Sequence, residues 1–100
     1  MSFPTLKLSY FDLAARAELT RLALYIAGIP FEDERLTREE FAVRKPTLPF
    51  KQAPTLTIDG EVFAQSHAMA RYAGRLGGLY PSDPLAAYRV DEVIASSDDL

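Results

Sequence analysis

The chain has 100 residues, 48% of them hydrophobic, with 11 basic against 14 acidic side chains and a net charge of −3. That length supports one modest core, and a slightly acidic balance without a basic cluster excludes nucleic-acid binding led by phosphate contacts. The absence of cysteine excludes disulfides, thiolate metal sites and CxxC redox chemistry, so any thiol chemistry must come from a bound ligand.

Leu6–Tyr10 alternates apolar and polar residues and predicts a first strand. Leu19, Leu22, Ala23 and Ile26 fall at i, i+3, i+4 and i+7, which predicts a helix over Ala15–Ala27 with that stripe as its buried face. Gly28 and Pro30 stop it, and Phe31–Arg35 is expected as a second strand, parallel to the first across a right-handed βαβ connection. The charged stretch Thr37–Lys45 supports only a short helix before Pro46 and Pro49, and its basic pair Arg44-Lys45 reads as solvated on charge grounds. Asp59-Gly60, between Thr55–Ile58 and Glu61–Phe63, is a strong hairpin signal. Met69, Tyr72, Ala73 and Leu76 mark a third helix, stopped by Gly77-Gly78. Asp83-Pro84 reads as an N-cap and first turn of a last helix carrying Ala87, Val90 and Ile94, a stripe expected to need cover from outside residues 1–82.

A βαβ unit followed by a ββα unit is the thioredoxin-like arrangement, in the α/β (α+β) class. The expected division is residues 1–82 for that domain and 83–100 for the start of an all-helical one. The first residues carry Lys7, Asp12, Arg16 and Glu18 and so lack a signal-peptide core. The longest apolar run, Leu22–Ala27, is too short to span a bilayer. A cytoplasmic location, with no nucleic acid and no membrane as partner, is the expectation.

The chemistry concentrates in Leu48–Ser66, where a proline enters a hairpin and Gln65-Ser66 opens a helix. A helix start offers unpaired N–H groups and positive dipole charge, which suit a carboxylate. Pro54 removes a donor at the entry to its strand. An ordinary N-cap would explain Gln65 and Ser66 equally simply. Tyr10 ends the first strand, where ligands gather in α/β sheets; it either donates its phenol to an ionised group or caps the core beside Leu6 and Leu8, and position alone favours the core. Arg16, a cation near a helix start, is mildly misplaced against the dipole and supplies charge near Tyr10 or lies solvated. His67, the single histidine, has no neighbouring metal-ligand constellation, and no metal site is expected.

The stretches KLSYFDLAARAELTRLALYIAGIPFEDERL and LPFKQAPTLTIDGEVFAQSHAMARYAGRLGGLYP closely resemble the N-terminal domain of cytosolic glutathione transferases. The likeness is best to the sigma class, which includes the haematopoietic prostaglandin D synthases, and covers nearly all of residues 5–100. The resemblance implies that Tyr10 stabilises the glutathione thiolate, that Arg16 supports Tyr10, and that Lys45 and Gln52 lie near the glycine end of glutathione. It implies that Ala53, before a cis Pro54, offers its backbone to the cysteinyl part, and that Gln65 and Ser66 hold the γ-glutamyl end.

The chain departs from the family pattern in places. Phe41 stands in the glutathione site where a tryptophan is common, which removes an indole donor. Leu13-Ala14-Ala15 replaces a glycine-arginine run. Ala95 stands for an aspartate that reaches glutathione on a neighbouring subunit, with Asp91 and Asp98 on the same helical face as substitutes. The implied function is a glutathione transferase or its glutathione-binding domain, acting in detoxification by conjugating a small electrophilic substrate or by isomerisation, as a homodimer and with no metal. The alternative is a non-catalytic module of the same fold that binds ligands or proteins.

Overall fold

The computed structural model describes residues 3–97. Strands β1 (Leu6–Phe11), β2 (Glu32–Leu36), β3 (Thr55–Ile58) and β4 (Glu61–Phe63) form one mixed sheet in the order β2-β1-β3-β4. Helices α1 (Glu18–Ile26), α2 (Arg38–Arg44), α3 (Ser66–Leu76) and α4 (Pro84–Ser96) complete the fold, with short 3₁₀ turns at Ala15–Ala17, Lys45–Thr47 and Pro49–Lys51. β1 runs parallel to β2, pairing Lys7–Phe11 with Glu32–Leu36, and antiparallel to β3. The expected βαβ and ββα units are therefore both present.

Because side chains alternate across a strand, β1 sorts its residues to two layers. Leu6, Leu8 and Tyr10 are buried together with Ala17 and Leu24 of the α1 region, Leu56 of β3, and Met69 and Ala73 of α3. Ser9, of opposite parity, is also buried, and its hydroxyl donates to Glu34 of β2 at 2.7 Å. The α3 stripe is as expected, with Tyr72 and Leu76 packed against the same core.

The α1 stripe is not. Leu22 and Ile26 are 44% and 69% exposed, and the buried face is Ala17, Thr20, Arg21 and Leu24. Those residues also follow i, i+3, i+4 and i+7, but two of them are polar, so an apolar pattern selects the wrong face. The first helix also begins later than expected: Ala15–Ala17 forms a 3₁₀ turn, and Ala15 at φ 48° stands in the left-handed region.

Local signals fix the other boundaries. Thr37 and Glu40 form a reciprocal capping box at the start of α2, with bonds of 3.1 and 2.9 Å. Asp59 and Gly60, at φ 49° and 89°, make the β3–β4 turn, and both torsions are those a primed hairpin turn requires. Asp83 caps α4 through Ala86 N–H at 2.9 Å, with Pro84 in the first turn.

The α4 stripe needs correction. Ile94 is 5% exposed, covered within this chain, and lines an open apolar hollow of about 440 Å³ with Leu19, Ala23, Ala70 and Gly74. Leu85, Tyr88 and Val93 of α4 remain exposed instead.

The ends of α1 and α3 come close at Gly77, where an added Cβ would lie 2.6 Å from the Ala27 Cβ. Relief requires backbone movement, so Gly77→Ala is expected to destabilise the fold by about 1–3 kcal/mol. Ala27→Gly in the same chain should restore part of that loss, read as the urea midpoint of each variant. A neutral Gly77→Ala would show that the two helices do not pack through this contact.

Candidate functional site

The 3₁₀ turn before α1, the cis-proline turn and the start of α3 converge on a small polar recess of about 20 Å³. Arg16, Gln52, Ala53, Pro54, Gln65 and Ser66 line it. The Ala53–Pro54 peptide bond is cis. Gln65 precedes α3 at φ 78° and ψ 103°, and its side chain makes no capping bond. A left-handed torsion on a residue with a Cβ costs of order 1 kcal/mol, so this turn is held open at the expense of local comfort. The ordinary N-cap explanation for Gln65 fails on the geometry. The first N–H groups of α3 and the Arg16 guanidinium supply positive potential to the recess.

Tyr10 is 7% exposed in the core and is not among the residues that line the recess. Its ring packs against Phe11 at 5.4 Å between centroids, and Phe11 meets Phe41 edge-on at 5.2 Å. Phe41 thus packs on the end of β1 through its ring alone, without a polar atom. Lys45 is exposed in the turn after α2, and neither it nor Phe41 lines the recess. Arg16 forms no ion pair among the described residues, which leaves its charge for the recess.

Arg44, read from sequence as solvated, is instead bound by both guanidinium nitrogens. Nη1 donates to Glu34 Oε1 at 2.6 Å and Nη2 to Oε2 at 2.9 Å, a bidentate fork. Glu34 also accepts from Ser9. The Arg44 guanidinium, aided by the Ser9 hydroxyl and opposed by partial burial, holds the Glu34 carboxyl down at about 2. This pair fixes α2, and with it Phe41 and Lys45, against β1 and β2.

On α4, Asp91 does not stand free for a ligand. It accepts from Arg71 Nε and from the Tyr80 hydroxyl, each at 2.8 Å, and these two donors, Arg71 first, hold its carboxyl below the usual range. Ala95 is exposed, and Asp98 lies outside the described residues.

The family model described as "Glutathione S-transferase, N-terminal domain" matches residues 6–75. The chain belongs to the glutathione S-transferase family. Glutathione S-transferase 1 of Ascaris suum is 45% identical over 97 residues, covering 97% of this chain and 47% of its own length. The hematopoietic prostaglandin D synthase of Gallus gallus is 41% identical, over 97% of this chain and 49% of its own. The crystal structure of the glutathione S-transferase from Ascaris lumbricoides superposes with a TM-score of 0.86 at 45% identity, covering 96% of this chain and 47% of that one. The chain spans about half the length of the curated relatives it matches. The family uses glutathione as co-substrate. No group of His, Cys, Asp or Glu able to hold a metal occurs among the described residues, and no described helix is long and apolar enough to cross a membrane.

Within this glutathione S-transferase domain, the sequence pattern passes over Arg21 and Glu34 and takes Arg44 as solvated. A signal for Arg21 exists: Ala17, Thr20, Arg21 and Leu24 recur at helical spacing, and a wheel that admits polar residues finds them. Glu34 and Arg44 carry none, because their pairing depends on how α2 returns over the sheet.

Glu34 yields a pH test. Its folded pKa of about 2 lies below the ordinary 4.5, so its contribution is full above pH 4.5 and disappears as pH falls towards 2. The shift bounds that contribution at about 3 kcal/mol. Arg44 is 39% exposed, and screening brings the expected figure to about 1–2 kcal/mol. Glu34→Gln should lose that amount at pH 7 and converge on the wild type near pH 2–3, measured by urea unfolding. A constant difference across the range would remove Glu34 as the source.

Proposed function

We propose that this domain binds glutathione with its γ-glutamyl carboxylate at the recess and holds its thiol for reaction with a small electrophile, or for a glutathione-dependent isomerisation. The observation that carries this reading is the set Arg16, Gln52, Ala53, Pro54, Gln65 and Ser66 gathered around an uncapped helix start. Gln65, Ser66 and the first N–H groups of α3 receive the γ-glutamyl carboxylate. The Ala53 backbone, freed from the ladder beside Pro54, receives the cysteinyl part, and Gln52 and Lys45 face the glycine end. Phe41 contributes contact area there and no hydrogen bond.

Glutathione supplies a thiol whose ordinary pKa, about 8.5, leaves little thiolate at neutral pH. Tyr10 is assigned as the hydroxyl donor that favours the ionised sulfur, and Arg16 as the charge that supports it. Each unit of lowered thiol pKa requires about 1.4 kcal/mol of preferential stabilisation, which one charge-assisted hydrogen bond of about 1.5–3 kcal/mol supplies. The same reading puts a boundary at residue 82, with residues 83–100 opening a helical second unit, and makes the working protein a cytoplasmic homodimer.

A second reading has one observation in its favour. Tyr10 lies 7% exposed in the core, which suits a packing role and hence a non-catalytic module that binds glutathione or another peptide-like ligand. Two substitutions separate the readings. Calorimetry should show glutathione binding, weakened about tenfold or more by Ser66→Ala, the loss expected when a carboxylate gives up one donor. Tyr10→Phe keeps the ring and should leave the dissociation constant nearly unchanged while the thiol pKa of bound glutathione rises by about one unit. A bound thiol unaffected by Tyr10→Phe would leave the non-catalytic reading, and absent glutathione binding would end both assignments of the recess.

A further inference from the structure

Arg21 projects from the sheet-facing side of α1, its side chain 8% exposed, beside Ala17, Thr20 and Leu24. A guanidinium is costly to bury unless its donors are met, and here each of its three nitrogens has a hydrogen-bond partner. Nε donates to Asp33 Oδ1 at 3.1 Å, Nη1 to the Leu13 carbonyl at 2.6 Å, and Nη2 to the Phe11 carbonyl at 3.3 Å. Glu18 Oε2 lies 3.7 Å from Nη1. The guanidinium carbon is also 5.9 Å from the centre of the Tyr10 ring.

The Phe11 carbonyl closes β1, and the Leu13 carbonyl lies in the stretch that follows it and leads to Arg16. Beyond Phe11 that stretch has few other ties among the described residues. Leu13 N–H donates to the Phe11 carbonyl at 2.8 Å, and Asp12, 80% exposed, accepts from Arg35. It ends on Ala15 in the left-handed region at φ 48°, a torsion that a residue with a Cβ does not keep without outside constraint. The rigid fork of a guanidinium grips two carbonyls and a carboxylate at once, which a single ammonium does not reproduce.

We propose that Arg21 is a positioning residue for the thiol site, a buried clamp that sets the path of the chain from Tyr10 to Arg16. This rests on the reading of those two residues given above. Arg21 acts through the loop and has no contact with the ligand, so its removal should displace Arg16 from the recess while the sheet persists.

The test uses the 100-residue chain with Arg21→Lys. In ligand-free protein, hydrogen exchange at the amides of residues 13–16 should quicken about tenfold or more, with Thr55–Ile58 unchanged. Unchanged exchange, or an equal increase at both places, would overturn the clamp. With glutathione bound, the thiol pKa should rise by about one unit in Arg21→Lys. That rise should shrink to less than about a third in an Arg16→Gln background, since residues acting as a unit are not additive. Equal rises in both backgrounds would overturn action through Arg16. If Arg21→Lys does not fold, Asp33→Asn, which weakens the Nε partner and spares the carbonyl bonds, is expected to quicken the same amides about threefold, and no change there would overturn the proposal. A wild type that binds no glutathione ends the proposed function together with the thiol role of Arg21. A wild type that binds, with Arg21→Lys exchanging normally, ends the present inference alone.

Discussion

Both edges of β1 are committed, one to β2 in parallel and the other to β3 in antiparallel, and the arrangement of every other element follows from that double pairing. Alternation along the strand sends Leu6, Leu8 and Tyr10 towards α1 and α3 and gives Ser9 to Glu34. A slip of one residue would exchange these sets, driving Lys7 and Ser9 into an apolar layer and stripping Glu34 of its hydroxyl donor. The position of Tyr10 at the strand's end and the position of α2 over its other face are therefore set by one register.

The two faces are held by different physics. Towards α1 and α3, the contacts are mostly apolar, down to the close approach at Gly77, with the buried Arg21–Asp33 pair as the charged exception. Towards α2, the attachment is a polar relay from Ser9 through Glu34 to Arg44, with the Phe11–Phe41 ring contact beside it. An apolar face is indifferent to salt and acid, whereas a charged one responds to both. Since Phe41 and Lys45 ride on or just beyond α2, their placement depends on that charged attachment.

Much of this was legible because local chemistry and global packing agree. Asp59-Gly60, the Met69–Leu76 stripe and Asp83-Pro84 each specify their turn, face or cap without help from distant residues. The failures share a cause. Thr20 and Arg21 are polar residues on a buried face, so counting apolar positions turned α1 toward Leu22 and Ile26, which the structure leaves in solvent. Arg44 looked solvated because its partner lies ten residues earlier, on a strand that only the folded return of α2 brings near. The Gln65-Ser66 helix start was visible as a motif, but the left-handed torsion that uncaps it belongs to the backbone.

α4 is joined to the remainder chiefly at Asp91, through Arg71 and Tyr80, and at Ile94. Beneath it lies an open apolar hollow whose lining includes Val93, and Leu85 and Tyr88 remain exposed. A helix with so little buried area has little free energy to oppose its opening, while β1–β3 lose their protection only when the whole core parts. The domain therefore has two tiers of cooperativity: a sheet with α1 and α3 that melts as one, and a last helix that detaches on its own at far lower cost.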